Sequence, residues 1–159
     1  MKKIVKHPFK PVYDRNSKIL FLGSIASIKS REIGFPYSSP QNRFWKILEI
    51  LFEEKITDYK QFLLSKNIAL WDVIKQCEIK GSSDASIKNV VVNEIWELID
   101  SSNIKIVFTN GKKAYELYNK YIYHKTKIKA ICLPSTSPAN AKKDLKSLVE
   151  EYKIILKYL

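Results

Sequence analysis

Short apolar runs alternate along this chain with segments of helical periodicity. Four runs predict buried strands, at residues 18–24, 67–74, 104–109 and 128–133. Continuous apolar runs of this length, bounded by glycine, proline or polar residues, are typical of strands that are covered on both faces.

Between these strands, apolar residues recur at spacings of three and four, which predicts amphipathic helices. Phe44, Ile47, Leu48 and Leu51 form one such stripe. The predicted helices are 42–54, 90–101, 112–121 and 141–156, with a shorter one at 58–64. Strands that alternate with helices imply right-handed crossovers and a mostly parallel sheet with helices on both faces. We therefore predict one α/β domain over residues 1–159.

In such a sheet, ligands bind at the carboxyl ends of the strands. The predicted strands end at Gly23-Ser24, Asp72, Asn110-Gly111 and the loop 134–140. The loops after the first and fourth strands are the most unusual in composition, so this edge is the candidate functional site.

The charge distribution favours a polyanionic partner. The chain of 159 residues has a formal net charge of +12. Residues 1–46 hold ten basic and two acidic side chains, residues 47–104 hold six and ten, and residues 105–159 hold twelve and four. If the outer thirds meet in space, they form a positive face suited to nucleic acid.

Several classes of protein are excluded by the composition. No apolar run reaches the roughly 18–20 residues that a membrane-spanning helix needs. The lysine-rich start lacks the apolar stretch of a signal peptide. Cys77 and Cys132 have neither the spacing of a disulfide scaffold nor that of a zinc site. We expect a soluble, cytoplasmic monomer, nucleoid-associated in a prokaryote, without a metal.

The segment 23–45 carries the most candidate chemistry. Roughly twenty residues between a strand and a helix are uncommon without a function. They combine hydroxyl, basic and aromatic side chains suited to phosphate contact beside a stacking surface. Asn42 also lies where a helix N-cap is expected, which is an alternative role for it.

Two further stretches follow predicted strands. The loop 134–140 contains two prolines and small hydroxyl residues, so its backbone could approach a ligand closely; the alternative is a loop that caps the last helix. Residues 71–84 are predicted as another long polar loop. Asp72 could either line the site or pair with a backbone amide.

Four of these segments together resemble a known family. They are Gly23-Ser24, GFPYSSPQNRFW at 34–45, ALWDVI at 69–74 and PSTSPAN at 134–140. In this order, the motifs resemble the uracil-DNA glycosylase superfamily, with the hypoxanthine-DNA (deoxyinosine) glycosylase branch the most similar. The resemblance extends over about residues 18–159.

This resemblance implies a three-layer α/β/α sandwich with a central four-stranded parallel sheet. It implies hydrolytic excision of a deaminated base from DNA, with hypoxanthine as the expected base, and no cofactor. Tyr37 matches the aromatic residue on which the extruded base stacks, Asn42 matches the catalytic asparagine, and 134–140 matches the loop that wedges into DNA. The predicted base-binding residues are Gly23, Ser24, Phe35, Tyr37 and Asn110. The predicted DNA-binding residues are Ser27, Lys29, Ser30, Arg31, Ser135, Thr136, Ser137, Asn140 and Lys142, with Arg43 and Lys143 as further phosphate contacts.

The chain departs from the uracil-specific pattern at two positions. Ile25 stands where uracil-type relatives carry Asp or Asn, and Pro134-Ser135 replaces a histidine motif. Both departures favour hypoxanthine over uracil. A broad uracil or mismatch glycosylase and a non-catalytic DNA-binding module remain alternatives.

Some roles stay open at the level of the sequence. The Asn42 amide could hydrogen-bond the base or position a water, and no carboxylate is evident near it. His7 and His124 lie outside every motif and are predicted to be surface residues.

Overall fold

A computed structural model describes residues 3–159 and contains two β-sheets with helices around them. The strands are Lys3–Lys6 (β1), Ile19–Gly23 (β2), Ile68–Asp72 (β3), Ile74–Ile79 (β4), Lys88–Val92 (β5), Ile106–Asn110 (β6) and Ala130–Leu133 (β7). The α-helices are Ile28–Ile33 (α1), Phe44–Phe52 (α2), Tyr59–Ser65 (α3), Ile95–Asp100 (α4), Lys112–Tyr121 (α5), Tyr123–Thr126 (α6) and Leu145–Tyr152 (α7). Short 3₁₀ helices cover Asp84–Ser86 and Lys153–Tyr158.

The four predicted strands form one parallel sheet in the order β3-β2-β6-β7. The register places Gly23 opposite Asp72, and Asn110 opposite Leu133. The predicted α/β class and the four-stranded parallel sheet are therefore confirmed.

The two faces of this sheet are covered by separate apolar layers. Leu20 and Leu22 of β2 point into a core shared with α4 and α5. Ile19 and Phe21 point the other way, into a core shared with α2, α3 and α7. Alternate side chains of a strand point to opposite faces, so the all-apolar sequence of β2 follows from its burial on both sides.

A second, antiparallel sheet of order β1-β4-β5 was not predicted. The prediction that 71–84 is a polar loop is wrong, because β4 occupies 74–79. The predicted helix over 90–101 is also wrong at its start, because Val90 and Val92 belong to β5 and the helix begins at Ile95. Asn93 separates the two elements; its buried side-chain amide donates to the carbonyl oxygens of Asp72 and Ile74.

The segments that frame the site are more regular than predicted. The stretch after β2 contains α1, which is capped by Ser27 and ends at Gly34 in the left-handed region (φ 109°). The helix predicted from residue 141 begins at Leu145, because the Asp144 side chain accepts from the Ser147 amide and caps it there. Within residues 3–159, no helix has the length and apolar character needed to span a bilayer.

Candidate active site

A cavity of about 810 Å³ opens at the carboxyl edge of the parallel sheet. It lies between the segment after β2, the ends of β3 and β6, and the loop after β7. Most of the predicted site residues line it: Gly23, Ser24, Ser27, Lys29, Ser30, Tyr37, Asn42, Asn110, Ser135, Thr136, Ser137 and Asn140. Parallel pairing explains this, because it brings the carboxyl ends of distant strands to one edge.

Asn42 is held in the cavity wall by hydrogen bonds to one atom of its amide. Its Oδ1 accepts from the Phe44 backbone N–H at 3.0 Å and from the Thr136 hydroxyl at 2.8 Å. The N–H of Phe44 can only donate, so the atom facing it is the oxygen. Asn42 therefore lies in the cavity wall, but the alternative that it is the N-cap is wrong, because Arg43 is the N-cap residue of α2 and Asn42 precedes it.

The same bonds link Asn42 to Asn110 through Thr136. The Asn110 Nδ2 donates to the Thr136 hydroxyl at 2.9 Å, and the Thr136 backbone N–H donates to Asn110 Oδ1 at 2.9 Å. The Thr136 hydroxyl therefore accepts from Asn110 and donates to Asn42. Among residues 3–159, the Asn42 Nδ2 has no hydrogen-bond partner. This donor is therefore available to a ligand.

Tyr37 forms another wall of the cavity and stacks on Phe44. The two ring centroids are 4.4 Å apart at 28°. Burial and the charge of Asp72 raise the pKa of the Tyr37 hydroxyl well above its usual value, so it stays protonated; the Asn110 amide partly offsets this rise. The buried hydroxyl makes no hydrogen bond of normal geometry with any described residue.

Gly23 allows two polar groups to approach the end of β2. A β-carbon added there would lie 2.5 Å from Asp72 Oδ1 and 2.6 Å from the Tyr37 hydroxyl oxygen. Both distances are too short for a real contact, so any side chain at this position would displace both groups. The sequence left the role of Asp72 open, and the structure places this residue in the cavity wall.

The loop 134–140 is held in place by hydrogen bonds from the side chains of Arg43 and Tyr152. The Arg43 guanidinium donates to backbone carbonyl oxygens of the loop and of Lys143. The Tyr152 hydroxyl donates to the Pro134 carbonyl oxygen at 2.7 Å. The predicted phosphate contact by Arg43 is therefore wrong: its donors are used inside the protein.

Two predicted DNA contacts are buried side chains in the structure. Thr136 is fully buried, and Ser30 is 2% exposed. The Ser30 hydroxyl accepts from the Ser27 hydroxyl and from the Ser38 amide, so it holds the chain around α1. Both residues line the cavity from behind, which suits a positioning role better than phosphate contact.

Three predicted site residues lie elsewhere. Phe35 stacks on Tyr59 at 5.4 Å and lines a separate cavity of about 450 Å³. Arg31 and Lys142 are not among the residues that line the main cavity. Arg31 has a buried nitrogen without a partner, and its charge partly offsets the rise in the Cys77 pKa caused by burial.

Two groups near the cavity were missed from the sequence. The prediction that His7 is a surface residue is wrong, because its side chain is 3% exposed and lies 2.6 Å from Asp72 Oδ2. Asp84 lines the same cavity as Asn42, together with Asp72, which the sequence did not indicate. Partial burial raises the pKa of Asp84, while Lys113 and Ser24 lower it. No sequence spacing marks either residue as part of the site. Both are placed there by the antiparallel sheet or its connections, which were not predicted.

Comparison with known families agrees with this geometry. A family model described as the uracil DNA glycosylase superfamily matches residues 10–158. The chain belongs to the uracil DNA glycosylase superfamily. The matched region contains both the parallel sheet and the cavity-lining loops, so the resemblance seen in the four motifs is confirmed.

Relatives within this superfamily cover nearly the whole chain. A protein of Methanosarcina barkeri named hypoxanthine DNA glycosylase is 37% identical over 150 residues, which are 89% of this chain and 92% of the relative. A protein of Methanosarcina acetivorans with the same name is 32% identical over 145 residues, 86% and 89% of the two chains. The solution NMR structure of a candidate uracil DNA glycosylase from M. acetivorans has a TM-score of 0.78 at 28% identity, covering 97% of this chain and 99% of the other.

Proposed function

We propose that this protein is a monofunctional DNA N-glycosylase that excises hypoxanthine from deoxyinosine and leaves an abasic site. Two relatives that bear the name hypoxanthine DNA glycosylase, at 37% and 32% identity, support this substrate. The observation that carries the mechanism is the placement of Asn42, which lines the same cavity as Tyr37.

The target nucleotide must leave the duplex before it can enter this cavity. A stacked base does not expose its glycosidic bond to a pocket, and flipping costs a few kcal/mol, least for a mispaired or damaged base. The Tyr37 ring, supported from behind by Phe44, would return ~1–3 kcal/mol by stacking on the flipped base. Lys29 and the serines that line the cavity are the candidates for contact with the phosphates beside the flipped nucleotide.

Asn42 would act as a hydrogen-bond donor to the leaving base. Cleavage of the bond between the sugar and the base develops negative charge on the base and positive charge on the sugar. A fixed donor aimed at the developing anion stabilises the transition state more than the ground state. The bonds to Phe44 and Thr136 hold Oδ1 away, so Nδ2 is the atom available for this role.

Asp84 is the carboxylate that we propose holds the attacking water. Uracil-type relatives carry an acidic or amide residue at the position of Ile25, and this chain has no such group there. Asp84 lines the cavity close to Ser24, the residue that precedes Ile25. Its carboxylate could orient a water toward the sugar carbon that loses the base.

Alkali cleavage of reacted DNA tests the proposed function. Labelled duplexes with a single hypoxanthine, uracil or xanthine are incubated with the protein and then treated with alkali. We expect scission only after alkali, with hypoxanthine the preferred lesion, as a monofunctional glycosylase requires. Scission of the uracil duplex at an equal or higher rate would support the broad-specificity alternative, and binding without scission would support a non-catalytic module.

A further inference from the structure

Asp72 has a buried partner that lies outside the residues matched by the superfamily. The match begins at residue 10, and His7 directly follows β1. The His7 Nε2 and Asp72 Oδ2 atoms are 2.6 Å apart, with side chains that are 3% and 9% exposed. The N-terminal segment therefore contributes a contact directly behind the cavity.

The pair fixes the direction in which the carboxylate presents its second oxygen. An ionised carboxylate only accepts hydrogen bonds, so His7 Nε2 carries the hydrogen that occupies Oδ2. The main chain of Asp72 is held by pairing with Gly23 and by Asn93, whose Nδ2 donates to the Asp72 carbonyl oxygen at 2.8 Å. The remaining atom, Oδ1, lies beside Gly23 in the cavity wall.

We propose that the His7–Asp72 pair selects deaminated bases by presenting Oδ1 as a fixed hydrogen-bond acceptor. Deamination of adenine replaces the 6-amino group by a 6-oxo group and places a hydrogen on N1. Hypoxanthine can therefore donate its N1–H to Oδ1, whereas the N1 lone pair of adenine would face the lone pairs of the carboxylate. Sites that pair a buried polar group with a substrate N–H discriminate strongly against analogues that lack it. This inference rests on the proposed function, with Asp72 as the contact and His7 as its positioning residue.

The substitution Asp72→Asn gives the inference a directional test. His7 would still donate to the oxygen of the new amide, so the amide nitrogen would face the cavity as a donor. That arrangement suits the N1 acceptor of adenine and opposes the N1–H of hypoxanthine. The preference between the two bases should therefore move toward adenine rather than merely weaken.

The measurement is an affinity ratio that does not depend on catalysis. Duplexes carry a 2′-fluoroarabino nucleotide of hypoxanthine or adenine at one mismatched position, because the electron-withdrawing fluorine suppresses bond cleavage. The wild-type protein should bind the hypoxanthine duplex at least about tenfold more tightly. Asp72→Asn should reduce this ratio at least tenfold.

The role of His7 is tested with two variants and a matched control. His7→Leu removes the donor and should lower the ratio several-fold, while His7→Gln supplies an amide donor and should restore most of it. His124 is exposed on α6, so His124→Leu should leave the ratio unchanged. Thermal unfolding of each variant identifies any that do not fold.

The outcomes separate this inference from the proposed function. If hypoxanthine is released but Asp72→Asn and His7→Leu leave the affinity ratio unchanged, the inference is overturned and the proposed function stands. If no base is released but the ratios change as described, the inference stands and the proposed function fails. If His7→Leu fails to fold, Asp72→Asn and His7→Gln still test the inference. It expects Asp72→Asn to reduce the affinity ratio and His7→Gln to keep most of it. Equal loss of affinity for both duplexes in Asp72→Asn also overturns it.

Discussion

Tyr37 illustrates how one side chain can serve both the core and the cavity. One face of its ring packs on Phe44, and the residue also lines the main cavity. Its backbone has a positive φ of 55°, which is uncommon for a non-glycine residue and is associated with functional sites. We interpret this conformation as the means by which the loop turns the ring toward the ligand.

Replacing Tyr37 should separate capture of the flipped base from general DNA binding. Tyr37→Ala should lose about tenfold to a hundredfold in affinity for a duplex with hypoxanthine, because stacking contributes ~1–3 kcal/mol. Tyr37→Phe keeps the ring and should stay within about threefold of wild type. The readout is fluorescence anisotropy with damaged and undamaged duplexes. Equal losses for both duplexes in Tyr37→Ala would contradict a stacking role.

Asp84 should give the reaction an acidic limb in its pH profile. The carboxylate must be ionised to orient water as a base, so the rate falls as pH falls through its pKa. Because burial raises that pKa, the fall should begin at a higher pH than for an ordinary aspartate. Single-turnover rates against pH check this, with Asp84→Asn expected to be slow and to lack the limb. If the fall in rate at acidic pH persists in Asp84→Asn, it must be caused by another titrating group.

At the scale of elements, the parallel sheet was predictable, and the antiparallel sheet was not. Strands such as β2 are buried on both faces and so appear as uninterrupted apolar runs. In contrast, β4 alternates imperfectly and pairs with β5 through register shifts, so its polar residues suggested a loop. The valines of β5 continue the spacing of α4, and only Asn93 marks the boundary.

The same contrast applies to the site. Asn42, Tyr37 and the loop 134–140 belong to motifs that follow predicted strands, so they could be identified from the sequence. His7 could not, because its position depends on the pairing of β1 with β4. Arg43 was misassigned because a basic residue in a loop gives no indication of whether its donors face solvent or backbone carbonyl oxygens.

Arg43 should hold the loop 134–140 in its conformation. Arg43→Lys keeps the charge but loses the planar group of donors that contacts several carbonyl oxygens at once. We expect the free energy of unfolding to fall by ~1–3 kcal/mol, together with weaker DNA binding. Arg15 is exposed, so Arg15→Lys is the matched control and should change neither value. Chemical denaturation measures the first quantity; an unchanged stability in Arg43→Lys would contradict the anchoring role.

At the scale of the whole molecule, the net charge of +12 should make DNA binding strongly dependent on salt. Each lysine that contacts a phosphate adds about 0.9 to the slope of log K against log salt. Lys29→Ala should therefore reduce the slope by about 0.9, because Lys29 lines the cavity rim. Lys88 on β5 lies in the acidic middle third, so Lys88→Ala should leave the slope unchanged. Equal slopes for Lys29→Ala and wild type would remove Lys29 from the interface.

The most direct test of the account is the release of free hypoxanthine under single-turnover conditions, measured by chromatography with mass detection. The wild-type protein should release hypoxanthine from a deoxyinosine duplex. Asn42→Asp retains the oxygen that accepts from Phe44 and Thr136 but replaces the donor, so it should be at least about a hundredfold slower with its thermal stability and DNA affinity retained. Asn42→Ala should be at least as slow. No free hypoxanthine from the wild type, or an undiminished rate in Asn42→Asp, would contradict the account.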